Sequence, residues 1–596
     1  MKTFLWTLYA LVARFGRRAR KLRLRMQARR PAFLKTPKAF VSRPEPRSIG
    51  NFARGQQMLI GNFQFAGSVI EAQNTSIWDL EAEPLVIDEL HGCGWIDDLA
   101  ATGRPGQRTM QAWVADWIRR FGRGSGPGWR PDLVGRRLIR WISHAITLMQ
   151  GQDKTANAQF LRSIAKQASF LSRTWQTAPE GLPRIQALTG MIYVSLALEG
   201  MEHMLRPSMR RLGQECAERI GADGAIDSRS PEELMEIFTL LTWAAAVLRD
   251  AEHQPDERHL AALERIAPTL RQLMLSDGTL VRFHGGGRGE QGQLDQALAE
   301  AGIRDRAGND PRMGYIRLAA GRSVVVVDAA TPSEGPRSDI AHASTLAFEM
   351  CAGRLPLIVN SGPGRYFGER WKRAARATGC HSTLVVEDMS SARIWDQGFA
   401  GDTFGERLYE GPVSVALERI DDETGHAAIL AHDGYVADYG LTHERRISLS
   451  STGQEFRGED RVYCHRAADR RIYDRAQRQP DEVGLRFAIH FHIHPDVAVS
   501  LDLGGNAVSM KLRNDELWVF RQSGGLIAVE DGVYLDQRHL RPRMTKQIVV
   551  HGLTQNAAGA ISWAMTRAEE GRRYTPEEAH AAEDTVTEAE VDASAG

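Results

Sequence analysis

An α-then-β fold of two large domains is what this chain predicts, and three observations carry the prediction. Its 596 residues exceed what one ordinary core holds. From about residue 107 to 275 apolar residues recur at helical spacing. After Asp310 they give way to short Val-, Ile- and Thr-rich runs bounded by glycine and charge.

The first 30 residues come before either pattern. "MKTFLWTLYALVARFGRRAR" has a lysine, an apolar run of signal-peptide length and then a block of arginines without a clean small-x-small cleavage site. A secretion signal, a basic amphipathic segment touching a membrane or another envelope component, and a plain N-terminal helix all fit it. The helical half follows in "AWVADWIRRF", "GRRLIRWISHAITLM", "ANAQFLRSIAKQASFLSRTW", "RIQALTGMIYVSLALEGMEHML" and "PEELMEIFTLLTWAAAVLRD". These read as amphipathic helices stacked in hairpins. Ser230 and Pro231 followed by Glu232 and Glu233 form a helix start, with the acids at the positive end of the dipole. The strand half runs from "GYIRLAAGRSVVVVDAA" to "KQIVVHGL" and reads as an antiparallel β-sandwich. The tail after Thr575 is acidic, has little to bury and is expected to be disordered.

Composition narrows the function classes. With 75 basic and 74 acidic residues the net charge is +1, which gives no pull toward nucleic acid. Five widely spaced cysteines without a CxxC pair argue against a disulfide framework or a thiolate zinc site. No stretch approaches the roughly 20 apolar residues that span a bilayer.

Four motifs could carry chemistry. "FHGGGRGEQG" (Phe283 to Gly292) lacks the GKS or GKT ending of a phosphate loop, and reads as a flexible connector whose His284 and Arg288 could line a cleft. "DGAIDSRSPEEL" places Arg229 and Glu233 at a loop-to-helix junction. His342 and His381 open neighbouring strands, with Asn360 ending the strand between them, so the two histidines could converge on one ion. "FAIHFHIHP" puts His490, His492 and His494 on one strand face. Same-face neighbours lie about 6.6 to 7 Å apart, so two could grip a metal, and a plain strand face is the simpler reading. Trp113, Trp117, Trp141 and Trp175 could stack sugars or fill the helical core.

The two halves together resemble the heparinase II/III-like family of polysaccharide lyases, over roughly residues 50 to 570. The most specific stretches are "AHASTLAFEM", "LPLIVNSG" and "RATGCHSTLVV", joined by "DGAIDSRSPEEL" in the helical half. The resemblance implies an N-terminal incomplete (α/α) toroid at 50–300 and an antiparallel two-layer β-sandwich at 311–567. A basic segment (1–49) and an acidic tail (568–596) would flank them. It further implies β-elimination on a uronic-acid-containing glycan: a base takes the C5 proton, the carboxylate is neutralised and an acid protonates the leaving oxygen.

The implied zinc ligands are His342, Asn360 and His381, with Asn360 where the family has aspartate and Ser344 where it has another. Glu233 falls at the family's tyrosine, Pro183 and Arg184 near its Asn-His pair, and Ile340 at a further histidine. Two functions follow. One is a re-equipped lyase, in which Glu233 is the base, Arg184 or Arg229 neutralises the uronate and His284 is the acid. The other is a glycan-binding or scaffold protein of the cell envelope that keeps the fold without elimination. The expected partner is an acidic polysaccharide. The expected location is the envelope or periplasm, or the cytoplasm if the N-terminus is no signal.

Overall fold

The computed structural model describes residues 2–30, 37, 39–73, 75–289, 292–304, 308–334, 338–395, 406–477, 484–539 and 541–568. The acidic tail expected at 568–596 therefore lies outside the described residues from 569 on. Two layers of architecture follow one another as the hydrophobic periods require. α1 (Lys2–Arg29) leads into a helical domain of α2 (Arg104–Phe121), α3 (Pro131–Ser143), α4 (Lys154–Thr174), α5 (Leu182–Ala197), α6 (Leu205–Arg219), α7 (Pro231–Asp250), α8 (Glu257–Leu273) and α9 (Gln293–Ala301).

Starts and packing of these helices are legible in their residues. Asp153 and Asp256 cap α4 and α8 by accepting a backbone N–H, and Pro occupies the first turn of α2, α3, α5 and α7. Where α3 crosses α5, Gly135 meets Gly190 backbone to backbone: a Cβ on Gly190 would sit 2.6 Å from the Gly135 Cα. Neither position admits a side chain. Trp117 and Trp141 are fully buried, edge to face at 5.4 Å, with Arg137 stacked 4.0 Å over Trp117. They are core, not a sugar platform. Trp113 packs on Trp95 at 5.2 Å, and Trp175 is half-buried in a single 3₁₀ turn.

The sandwich has two antiparallel sheets. The first orders as β6 (Val415–Asp422), β7 (Gly425–Tyr435), β8 (Leu441–Ser450), β9 (Glu455–Tyr463), β16 (Ala558–Arg567), β13 (Leu517–Ser523), β12 (Ala507–Lys511) and β11 (Ala498–Asp502). The second orders as β14 (Leu526–Tyr534), β15 (Arg543–Leu553), β10 (Arg486–Ile493), β4 (Leu355–Val359), β3 (Phe348–Ala352), β2 (Ser323–Asp328) and β1 (Tyr315–Ala320), with β5 (Leu384–Val386) added on β10. Phe348, Phe456, Phe491 and Trp563 interdigitate between the sheets, Phe491 and Trp563 with ring centroids 5.0 Å apart.

β2 is buried along its whole length because both of its faces are covered. Val325 and Val327 enter the sandwich core, while Val324 and Val326 join the core of the helical domain. The second sheet thus carries the helical domain on its outer face, and the two domains meet over β1, β2 and β3.

Candidate functional site

Arg229, His284, His342, Ser344 and His381, all singled out from the sequence, gather where the domains meet, and Asp328 binds the first two and Ser344. Asp328 ends the fully buried β2 after four valines, so its carboxylate is drawn fully out of water and must be paired. Arg229 reaches it from the helical domain at 2.5 Å, Ser344 donates at 2.7 Å, and His284 Nε2 stands 3.3 Å away. Burial alone would raise the acid, but Arg229 and His284 outweigh it and hold Asp328 well below the ordinary carboxylate range.

Arg229 sits at the loop-to-helix junction in a left-handed conformation (φ 54°), immediately before the Ser230 cap of α7. Its guanidinium also donates to the carbonyls of Met313 (3.1 Å), Gly314 (2.9 Å) and Thr331 (2.8 Å). Each of its nitrogens has a partner in the protein, and none is left to face a substrate carboxylate.

The glycine-rich stretch is no slack tether. Phe283 to Gly287 are buried, and the Gly287 N–H donates to Glu232 Oε2 at 2.8 Å. A Cβ at Gly286 would lie 2.9 Å from Ser230 Oγ, so the glycine lets the connector pass under the start of α7. This carries His284 into the junction, with 0% exposure.

From His284 a chain of hydrogen bonds runs into the sandwich. The His342 N–H donates to His284 Nδ1 at 3.1 Å, which leaves the His284 proton on Nε2, toward Asp328. The Gly285 N–H donates to His342 Nε2 at 3.0 Å. The neutral His342 ring therefore carries its proton on Nδ1 and gives it to His381 Nε2 at 3.0 Å, and His381 Nδ1 donates to the Ala377 carbonyl at 2.8 Å. Burial lowers the pKa of all three histidines, His381 to about 4.

Of the three zinc ligands that the resemblance implies, His342 and His381 meet at 3.0 Å, but the donors of the three do not suit the ion. Zinc takes lone pairs of neutral imidazole and, as a rule, an anionic ligand. Here the free lone pair of His342 accepts the Gly285 N–H, that of His381 accepts the His342 Nδ1–H, and Asn360 Oδ1 accepts the Ser382 N–H at 3.0 Å. The Arg282 guanidinium donates to the Asn360 carbonyl, placing a positive charge beside the trio. The nearby carboxylates are engaged, Glu349 with Arg282 (3.2 Å) and Asp328 with Arg229. His342 and His381 form a neutral hydrogen-bonded brace, and Asn360 holds the neighbouring Ser382.

Arg184 and Glu233 are not part of this cluster. Arg184 pairs with Glu215 at 3.1 Å and lies alongside Glu180 at 3.7 Å. Glu233, half-buried in the first turn of α7, lines a cavity of about 10 Å³ with Arg219, Asp227 and Ile237. That is room for no more than about one water. Beside it, Arg365 donates to Glu232 Oε2 at 2.8 Å and to the Tyr366 hydroxyl, so the 364–367 turn lies against the start of α7. The sequence set therefore divides in two: Arg229 and His284 are buried in the Asp328 cluster, while Arg184 and Glu233 stand apart.

Of the conspicuous histidines of "FAIHFHIHP", His490 and His492 lie on β10 as a strand face and His494 stands just beyond its end. His490 and His492 stack at 6.2 Å, His492 Nε2 bonds the Gly379 carbonyl at 3.0 Å, and His494 packs against Tyr534. Asp328, Arg282 and Glu349 escaped the sequence reading. The signal for Asp328 was present, since a lone acid closing "SVVVVD" has to be buried and paired.

Comparisons with known proteins agree with this architecture. The family model described as Heparinase II/III-like, C-terminal, matches residues 305–564. FtsZ-localized protein C of Caulobacter vibrioides (strain NA1000 / CB15N) is 29% identical over 548 residues, covering 90% of this chain and 92% of that protein. Among solved structures, heparinase III superposes with a TM-score of 0.68 at 13% identity, covering 91% of this chain and 89% of that one. A mutant of the heparan sulfate lyase HepC from Pedobacter heparinus gives 0.56 at 14% identity, covering 92% and 88%.

Proposed function

We propose that this chain, whose residues 305–564 match the family model described as Heparinase II/III-like, C-terminal, keeps the polysaccharide-lyase fold without eliminating, and serves as a binding or scaffold protein in an assembly that contains FtsZ. One observation carries the reading. The groups available as neutraliser and acid, Arg229 and His284, are bonded on all sides by protein, and the acid at the tyrosine position faces a cavity of about 10 Å³. β-Elimination needs a base, a charge-neutralising donor and an acid converging on one sugar ring. Arg184, Glu233 and His284 do not converge.

The FtsZ part of the proposal rests on the relative's name and on its similarity over nearly the whole of both chains. A fold can outlive its chemistry while its surface acquires partners. Co-sedimentation with polymerised FtsZ tests this: the full chain is expected to pellet with polymer and to stay soluble without it. Equal amounts in the supernatant with and without polymer would refute it. In parallel, saturable binding of an acidic polysaccharide with no unsaturated product is the expected behaviour if the ancestral glycan surface persists.

A further inference from the structure

The junction cluster leaves unused an open cleft on another part of the domain seam, between α8 and α9 on one side and β1, β6 and β7 on the other. Its volume is about 920 Å³. Among the described residues its walls carry Arg271, Arg304, Arg317, Arg419 and His426, and the one acid is Asp295. Arg317 is the telling member. Its guanidinium donates to the carbonyls of Gln272 (3.3 Å) and Met274, and among the described residues no carboxylate pairs with it. Arg419 is partly neutralised by Asp421 (2.8 Å), which also holds His426 (2.8 Å). A half-desolvated guanidinium without a counter-ion favours an incoming carboxylate.

The sequence supplies one. Residues 569–596 carry nine acidic residues against two arginines and no lysine. They leave from the same end of the first sheet: His426 lies opposite Leu449, Leu449 opposite Phe456, and Phe456 opposite Met565. Three strand spacings are about 14 Å. The nine residues from 569 to 577 can span about 30 Å, so the acids from Glu577 onward reach the cleft with slack.

We propose that the acidic segment Glu577 to Asp592 of this chain docks in the arginine cleft and occupies it against other anionic ligands. A short tether gives an effective concentration of about 1 mM. A segment with an intrinsic Kd of about 0.1 mM would then fill the cleft roughly nine-tenths of the time and weaken a competitor about tenfold.

The test titrates a fluorescent peptide of residues 574–592 into three full-length proteins: wild type, a tail variant (Glu577→Gln, Glu578→Gln, Glu583→Gln, Asp584→Asn), and that variant with Arg304→Glu and Arg419→Glu added. The peptide is expected to bind the tail variant about tenfold more tightly than wild type, to lose binding when the two arginines are reversed, and to weaken as salt rises. Equal affinity for wild type and the tail variant would overturn the proposal, leaving a cleft open to a partner's acidic segment. So would binding indifferent to the arginine reversals, or no binding at all. If circular dichroism shows that the double reversal unfolds, Arg304→Glu alone is expected to weaken binding at least threefold, and no change would again overturn it.

Discussion

Two buried aspartates invite comparison. Asp460, inside the sandwich, is held by Arg445 (2.7 and 3.0 Å), His443 (2.7 Å) and Trp563 (2.9 Å). His443 leans on His432 at 3.2 Å, and His432 accepts the Gly434 N–H at 3.0 Å. Asp328 is held by an arginine, a serine and a histidine, and beyond them two more histidines end on backbone groups in the same manner. Asp460 is wholly buried within the sandwich, yet its network shares with the cluster at the expected active site an arginine and a histidine chain that ends on a backbone group. The difference is provenance. The partners of Asp460 come from one domain, whereas those of Asp328 come from the helical domain, the connector and the sandwich. The lesson is that a cluster of Asp, Arg and His at the position where the sequence suggests an active site can be a rivet between domains.

The largest expected effect probes that equivalence. Asp328→Asn leaves Arg229 buried without a counter-ion and should cost about 3–5 kcal/mol, read as a fall in the denaturant midpoint; Asp460→Asn should cost a similar amount. A loss below about 1 kcal/mol for Asp328→Asn alone would break the comparison.

Acid should act on buried histidines throughout. Burial holds His259 at about 4 and His492 at about 3, both below the ordinary 6.5. The unfolded chain then binds more protons than the folded one below pH 6.5, so stability is full above that value and is lost as pH falls toward 4. Each such histidine contributes about 1.4 kcal/mol per pH unit in that window. Thermal scans between pH 7 and 4 should show a steady fall in Tm, and a flat profile would contradict the buried, neutral assignment.

Metal removal should do less. With the lone pairs of His342 and His381 already taken, elemental analysis of chelator-free protein should find zinc well below one per chain, and chelator should leave Tm unchanged. Stoichiometric zinc would refute the brace. The smallest effect is expected at Glu233, where Glu233→Gln should change stability by less than about 1 kcal/mol.

Much of the fold was legible in the sequence, because helical and strand periods leave different marks and Pro231 and Ser230 announce a helix start. That His342 and His381 could meet was legible in their spacing, each shortly before a strand. What could not be read was which donor each lone pair meets: Gly285 and Ser382 engage the trio through backbone N–H groups, which carry no side-chain signature. Nor did spacing reveal that Arg229 would be spent on Asp328, since the two are 99 residues apart.

The central claim, that this lyase fold does not eliminate, is tested most directly by incubating the full chain with a panel of uronic-acid polysaccharides and following the ultraviolet absorbance of the unsaturated uronate. No increase above the protein-free control is expected for any substrate, with wild type and Glu233→Gln indistinguishable. A steady increase that Glu233→Gln abolishes would contradict the account.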